Sequence, residues 1–183
     1  MRVVDDLDEA AEVMRRAIAA SVPNKLDVGS PCEGWTVRDV INHIVTGNLR
    51  TLAWTHDETG PPNEEDRLGE DPLAAFDASF LQLRARLADL ATRGDPVHTP
   101  FAELSVERLI DMRCTEFAVH AWDVARANNQ PTDFIPELCE RLEATARTDI
   151  QGLDRTASPF AAEQRPPLGA NPADRLAAFF GVL

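Results

Sequence analysis

The chain has 183 residues and a formal net charge of −13, and 44% of its residues are hydrophobic. That is enough apolar material for a sizeable globular core, which excludes a disordered chain. The acidic balance excludes a nucleic-acid partner, because phosphate binding needs a basic face, and it opposes docking on an anionic membrane surface.

No apolar run approaches the roughly 20 residues of a membrane span. The N-terminal Met1-Arg2-Val3-Val4-Asp5-Asp6 is acidic and amphipathic, unlike a signal peptide. Three cysteines, an odd number lying far apart, point to reduced thiols in a cytoplasmic protein.

The spacing of Leu7, Ala10, Ala11, Met14, Ala17 and Ile18 predicts a first helix over about 5–20. Turn residues follow, ending in Gly29-Ser30-Pro31-Cys32-Glu33-Gly34. Thr36 caps a second helix, with Asp39 three residues on as in a capping box. Its stripe is Val37, Val40, Ile41, Ile44, Val45, Leu49 and Leu52, and it is expected to end near His56.

The acidic stretch 60–66 reads as a solvated loop. Asp71-Pro72 opens a third helix, with Leu73, Phe76, Phe80, Leu83, Leu87 and Leu90 as its stripe and Gly94-Asp95-Pro96 as its end. Ser105 caps a fourth helix reaching about Asn128, and Pro136 opens a fifth running to about Leu153. Asn171-Pro172 starts a short C-terminal helix carrying Leu176, Phe179 and Phe180.

No segment sustains the period-2 alternation of a strand. The linker-like stretch 158–167 is too short to divide the chain, so a single domain over 1–183 is expected. Four long amphipathic helices predict an all-α four-helix bundle with additional short C-terminal helices. Bundle cores commonly hold metals on the inward side chains of facing helices.

The fourth helix carries the most informative pair. Glu116 and His120 are four residues apart, which places them about 40° apart on one helical face. Their Cβ atoms would be roughly 5–6 Å apart, within reach of one metal ion. A carboxylate and an imidazole are two of the three protein ligands of an open catalytic zinc site. His43 on the second helix is the best candidate for the third, with His98 in reserve.

All three positions border their apolar stripes, where a cavity opening from the side of a bundle would need them. Gly47, one turn beyond His43, removes a side chain and costs about 1 kcal/mol against alanine. It would serve close helix packing or make room for a ligand beside the imidazole. Trp54 and Arg113 are the expected neighbours of a cleft.

Ordinary readings remain open at this point. Glu116 with Arg113 would make a surface ion pair, and His120 with Asp123 a common helix pair. His43 would sit in the core on a backbone carbonyl. His56 and His98 read as solvated. Cys114 lies about 160° from Glu116 round the helix and reads as core, as does Cys139. Cys32 precedes a helix N-terminus, where a thiolate would be stabilised, although a packing role in a tight turn is the favoured reading.

Two longer motifs carry a family resemblance. Ser30-Pro31-Cys32-Glu33-Gly34-Trp35-Thr36-Val37-Arg38-Asp39-Val40-Ile41-Asn42-His43-Ile44 resembles the (S/T)PCxGWxVxDLxxHL signature of mycothiol-dependent maleylpyruvate isomerase N-terminal-like proteins. These belong to the DinB-like superfamily of metal-binding helical bundles. The segment from Glu116 to Ala125 resembles their second signature, ExxxHxWDLA, and 171–181 looks like the ending of a short actinobacterial subgroup.

The resemblance implies a three-ligand divalent site at His43, Glu116 and His120, usually zinc, with nickel, iron or manganese as further possibilities. It implies Asp123 as the partner that orients His120, and a possible homodimer. It also implies mycothiol as thiol cosubstrate, attacking a small electrophile. The alternative is a non-catalytic metal-binding bundle acting as a sensor or structural partner. The chain departs from the isomerase in having only about 55 residues after the fourth helix, where isomerase-like chains carry an additional C-terminal domain. What the resemblance implies is therefore the transferase or isomerase chemistry of the bundle.

Overall fold

The computed structural model describes residues 2–62, 65–150, 155 and 161–182. Among these residues, six helices follow one another: α1 (Arg2–Ala19), α2 (Val37–Trp54), α3 (Pro72–Arg93), α4 (Val106–Ala127), α5 (Pro136–Asp149) and α6 (Pro172–Phe179). The all-α architecture agrees with the expectation. Among the described residues, no helix is long and apolar enough to cross a membrane.

The helix starts are set by local chemistry. Thr36 forms a complete capping box: its hydroxyl accepts from the Asp39 amide, and the Asp39 carboxylate accepts from the Thr36 amide. Asp71 and Ser105 cap α3 and α4 through side-chain oxygens. Gly94 ends α3 in the left-handed conformation (φ 74°), which costs glycine nothing. Helix α5 starts differently, from Ile135 at φ 37° and without a side-chain cap.

Two differences from the sequence reading stand out. A two-stranded hairpin pairs β1 (Val97–His98) with β2 (Glu103–Leu104), and strands of two residues are too short to show alternation. Helix α1 begins at Arg2 rather than near Asp5. The expected end of the fifth helix at Leu153 and the Ser158-Pro159 part of the linker lie outside the described residues.

Helix α1 packs on α3 and α4, and α2 packs on the same two helices. The long helices therefore run round the bundle in the order α1, α3, α2, α4. This order puts α2 beside α4, which brings their facing residues together. Helices α5 and α6 pack on each other and against α4.

The core between the long helices is filled by fully buried Leu7, Met14, Ile18, Ile41, Ile44, Phe76, Leu83, Leu87, Leu109, Phe117 and Trp122. The ring of Phe117 meets Phe76 and Phe80 edge-on at 5.8 and 5.9 Å, a favourable aromatic arrangement. Helix α6 is fastened by Asp174, which accepts from Trp122 Nε1 and Thr132 Oγ1, both at 2.7 Å.

Candidate metal centre

Helix α2 supplies His43 and helix α4 supplies Glu116 and His120, all on the seam between the two. His43 Nε2 lies 3.1 Å from Glu116 Oε2, and His120 Nε2 lies 3.6 Å from the same oxygen. The two imidazole rings meet nearly edge-on at 5.0 Å. One ligand atom from each of the three residues falls within 4.8 Å of the others.

These separations fit a small divalent ion. Zinc bonds of about 2.0–2.1 Å in a tetrahedron put neighbouring ligand atoms roughly 3.3–3.4 Å apart. The observed 3.1 and 3.6 Å bracket that value. Two nitrogens and one carboxylate oxygen also suit zinc, nickel or iron. Glu116 keeps 35% of its side-chain surface exposed, so the triangle is reached from solvent.

His120 Nδ1 donates to Asp123 Oδ2 at 2.8 Å. Asp123 is fully buried. An N–H held at Nδ1 makes Nε2, the nitrogen facing Glu116, the one that would give up its proton to an ion. His43 lacks such a partner: its Nδ1 is buried with no hydrogen bond among the described residues.

The charges interlock. Burial pushes the Glu116 carboxyl up, but the His120 and His43 rings outweigh it and hold the group well below the usual carboxylate range. Burial pulls the His120 ring down, while hydrogen bonds to Asp123, Cys32 and Glu116 carry it well above the usual histidine value.

Three residues expected near a cleft stand elsewhere. Arg113 is buried at 5% exposure and so stands away from the surface where an ion pair with Glu116 was expected. Its guanidinium donates to Asn48 Oδ1 at 2.9 Å and lies over the Phe117 ring at 4.9 Å. Asn48 in turn donates to Ser79 Oγ at 3.1 Å, so one polar chain crosses α4, α2 and α3. Gly47 makes the room for it. A Cβ there would lie 2.6 Å from Arg113 Nη1, so the space serves the guanidinium and not a ligand beside His43. Trp54, the last residue of α2, packs on Phe101 at 5.7 Å.

The cavity beside His43, about 410 Å³, is lined instead by Gly34, Trp35, Arg38, Asp39, Asn42, His43 and Asp66. Trp35 brings its ring to 5.2 Å from that of His43. His98, the reserve ligand, is exposed on β1 and pairs with Glu103 and Asp57.

Cys32 is the residue the sequence reading placed least well. Its turn is closed by the Trp35 amide on the Cys32 carbonyl at 3.0 Å, with Gly34 at φ 78° as the turn's third residue. The turn faces α4, and the thiol donates to Asp123 Oδ2 at 3.2 Å. Burial pushes this thiol up. Cys114 and Cys139 are buried as expected. The one available signal for Cys32 was its place in the same loop–helix motif as His43.

Comparison with known proteins adds three findings. The model of a family described as "Mycothiol maleylpyruvate isomerase N-terminal domain" matches residues 7–125. Uncharacterised proteins from two strains of Mycobacterium tuberculosis are 34% identical over 167 residues, 90% of this chain and 90% of each relative. A crystal structure of the mycothiol-dependent maleylpyruvate isomerase superposes with a TM-score of 0.66 at 20% identity. The match covers 80% of this chain and 68% of that one, and it shows a shared fold.

Proposed function

Because the chain belongs to the mycothiol maleylpyruvate isomerase N-terminal domain family, we propose that it is a metal- and thiol-dependent transferase or isomerase acting on a small electrophile. His43, Glu116 and His120 are the proposed ligands of one divalent ion, zinc by preference, and mycothiol is the proposed thiol. The observation that supports this most is the convergence of both Nε2 atoms on Glu116 Oε2, at 3.1 and 3.6 Å.

The ion would supply a Lewis acid that turns a bound thiol into a thiolate at neutral pH. The protein does the rest. Asp123 holds the His120 tautomer, and the Arg113–Asn48 bond ties α4 to α2 so that the three ligands keep their spacing. Trp35 offers an aromatic edge to the body of the thiol beside His43, and Asn42 ties the neighbouring wall by donating to the Glu65 carbonyl and accepting from the Arg67 amide. The thiolate sulfur would add to an electron-poor carbon of the electrophile while the π bond at that carbon breaks. Its electron pair moves to the neighbouring atom and takes up a proton from solvent in a transfer, or returns to expel the thiolate in an isomerisation.

A closed structural site would need a fourth protein ligand. His98 is turned to Asp57 and Glu103 instead, which favours an open site over a purely structural one. Metal analysis of variants tests the ligand set. His43→Ala and His120→Ala should each lose stoichiometric zinc with helix content intact, read by metal analysis and circular dichroism. Full zinc content in either variant would overturn the assignment.

A further inference from the structure

His120 stands between two groups of potential ligands, and the proposed site uses one. The other is Cys32, His120 and Asp123, whose ligand atoms also lie within 4.8 Å of one another. Cys32 Sγ and His120 Nδ1 both face Asp123 Oδ2, at 3.2 and 2.8 Å. Asp123 is fully buried, yet its Oδ1 has no hydrogen-bond partner among the described residues. A buried carboxylate oxygen left unpaired is costly, and a cation relieves that cost.

We propose that Cys32, His120 and Asp123 form a second cation seat, suited to a strongly thiophilic divalent ion such as cadmium. On binding, the Cys32 thiol releases its proton to solvent and the sulfur ligates the ion. Thiolate sulfur gives this seat a soft ligand that the His43–Glu116 side lacks.

The two seats compete for one ring. His120 presents Nδ1 to Asp123 and Nε2 to Glu116, and a neutral imidazole has a lone pair on only one of them. Ion softness therefore selects the seat: thiophilic ions take the Cys32 side, and harder ions the Glu116 side. The inference shares His120 with the proposed function but does not depend on it.

Cadmium chloride titration of the full chain, with no added thiol, tests it. Wild type and His43→Ala should both develop thiolate-to-cadmium absorption in the ultraviolet, saturating at one equivalent. Cys32→Ser, which keeps a donor for Asp123, should lose that absorption and bind cadmium at least ~10-fold more weakly. Independently of any variant, cadmium should protect Cys32 of the wild type from iodoacetamide, read by mass spectrometry.

The same absorption in Cys32→Ser, cadmium binding without it in wild type, or unprotected Cys32 would each overturn the second seat. The two proposals fail separately. Cadmium binding without thiolate absorption in the wild type removes this seat alone, whereas zinc content unchanged in His43→Ala removes the other.

Discussion

Gly47 shows how one missing side chain shapes the wall behind the site. It admits the Arg113 guanidinium, which is buried and hydrogen-bonded to Asn48 and the Ile44 carbonyl. Gly47→Ala gains about 1 kcal/mol of helix propensity. It also drives the guanidinium from a packed seat, at a typical overpacking cost of ~1–3 kcal/mol, together with the hydrogen bonds it breaks. The net expectation is a lower denaturant midpoint than wild type, and an equal or higher midpoint would show that Arg113 has another seat.

Asp123 is tested by affinity. Asp123→Asn should weaken zinc binding ~10–100-fold, and an unchanged affinity would remove its orienting role. At this scale the sequence was legible where contacts are helical neighbours. Glu116, His120 and Asp123 sit at spacings of four and three on α4, and the structure brings them together. Arg113 was misread because a residue at the border of a stripe points outward unless the facing helix opens a space, and the space came from Gly47. Cys32 was hidden because its partner Asp123 lies 91 positions away.

At the level of elements, α2, α3, α4 and α6 were legible at their starts because each carries its own cap, whereas α1 begins earlier than its stripe suggests and α5 has only Pro136 to mark it. Thr36, Asp71, Ser105 and Asn171 all cap as their residue types suggest. The β1–β2 hairpin was not legible, since two residues per strand give no period to read. Helix α6 shows what holds a short element in place. Eight residues make a marginal helix alone, so docking decides whether it forms. Asp174→Ala would leave the buried Trp122 N–H without its acceptor, costing about 1–3 kcal/mol. Urea denaturation should show that loss, and an unchanged midpoint would mean that α6 is held by apolar packing alone.

For the molecule as a whole, the order of helices round the bundle is what makes a site. Residues 43 and 116 meet only because α2 and α4 are neighbours. Apolar stripes alone do not fix that order, because each helix could bury its stripe against either neighbour. Position at the stripe border made His43 the candidate partner of Glu116 and His120, and the family motifs implied the same set. The acidic balance of 31 Asp and Glu against 18 Lys and Arg fits a site built for small molecules, and it opposes a polyanionic partner.

The most direct test of a thiol-activating metal centre is cobalt spectroscopy on the Cys32→Ser chain, in which Cys32 sulfur cannot contribute. The account predicts one cobalt ion per chain and a new thiolate-to-cobalt absorption that saturates as mycothiol is added. Bound cobalt whose spectrum ignores mycothiol, or no bound cobalt at all, would contradict it.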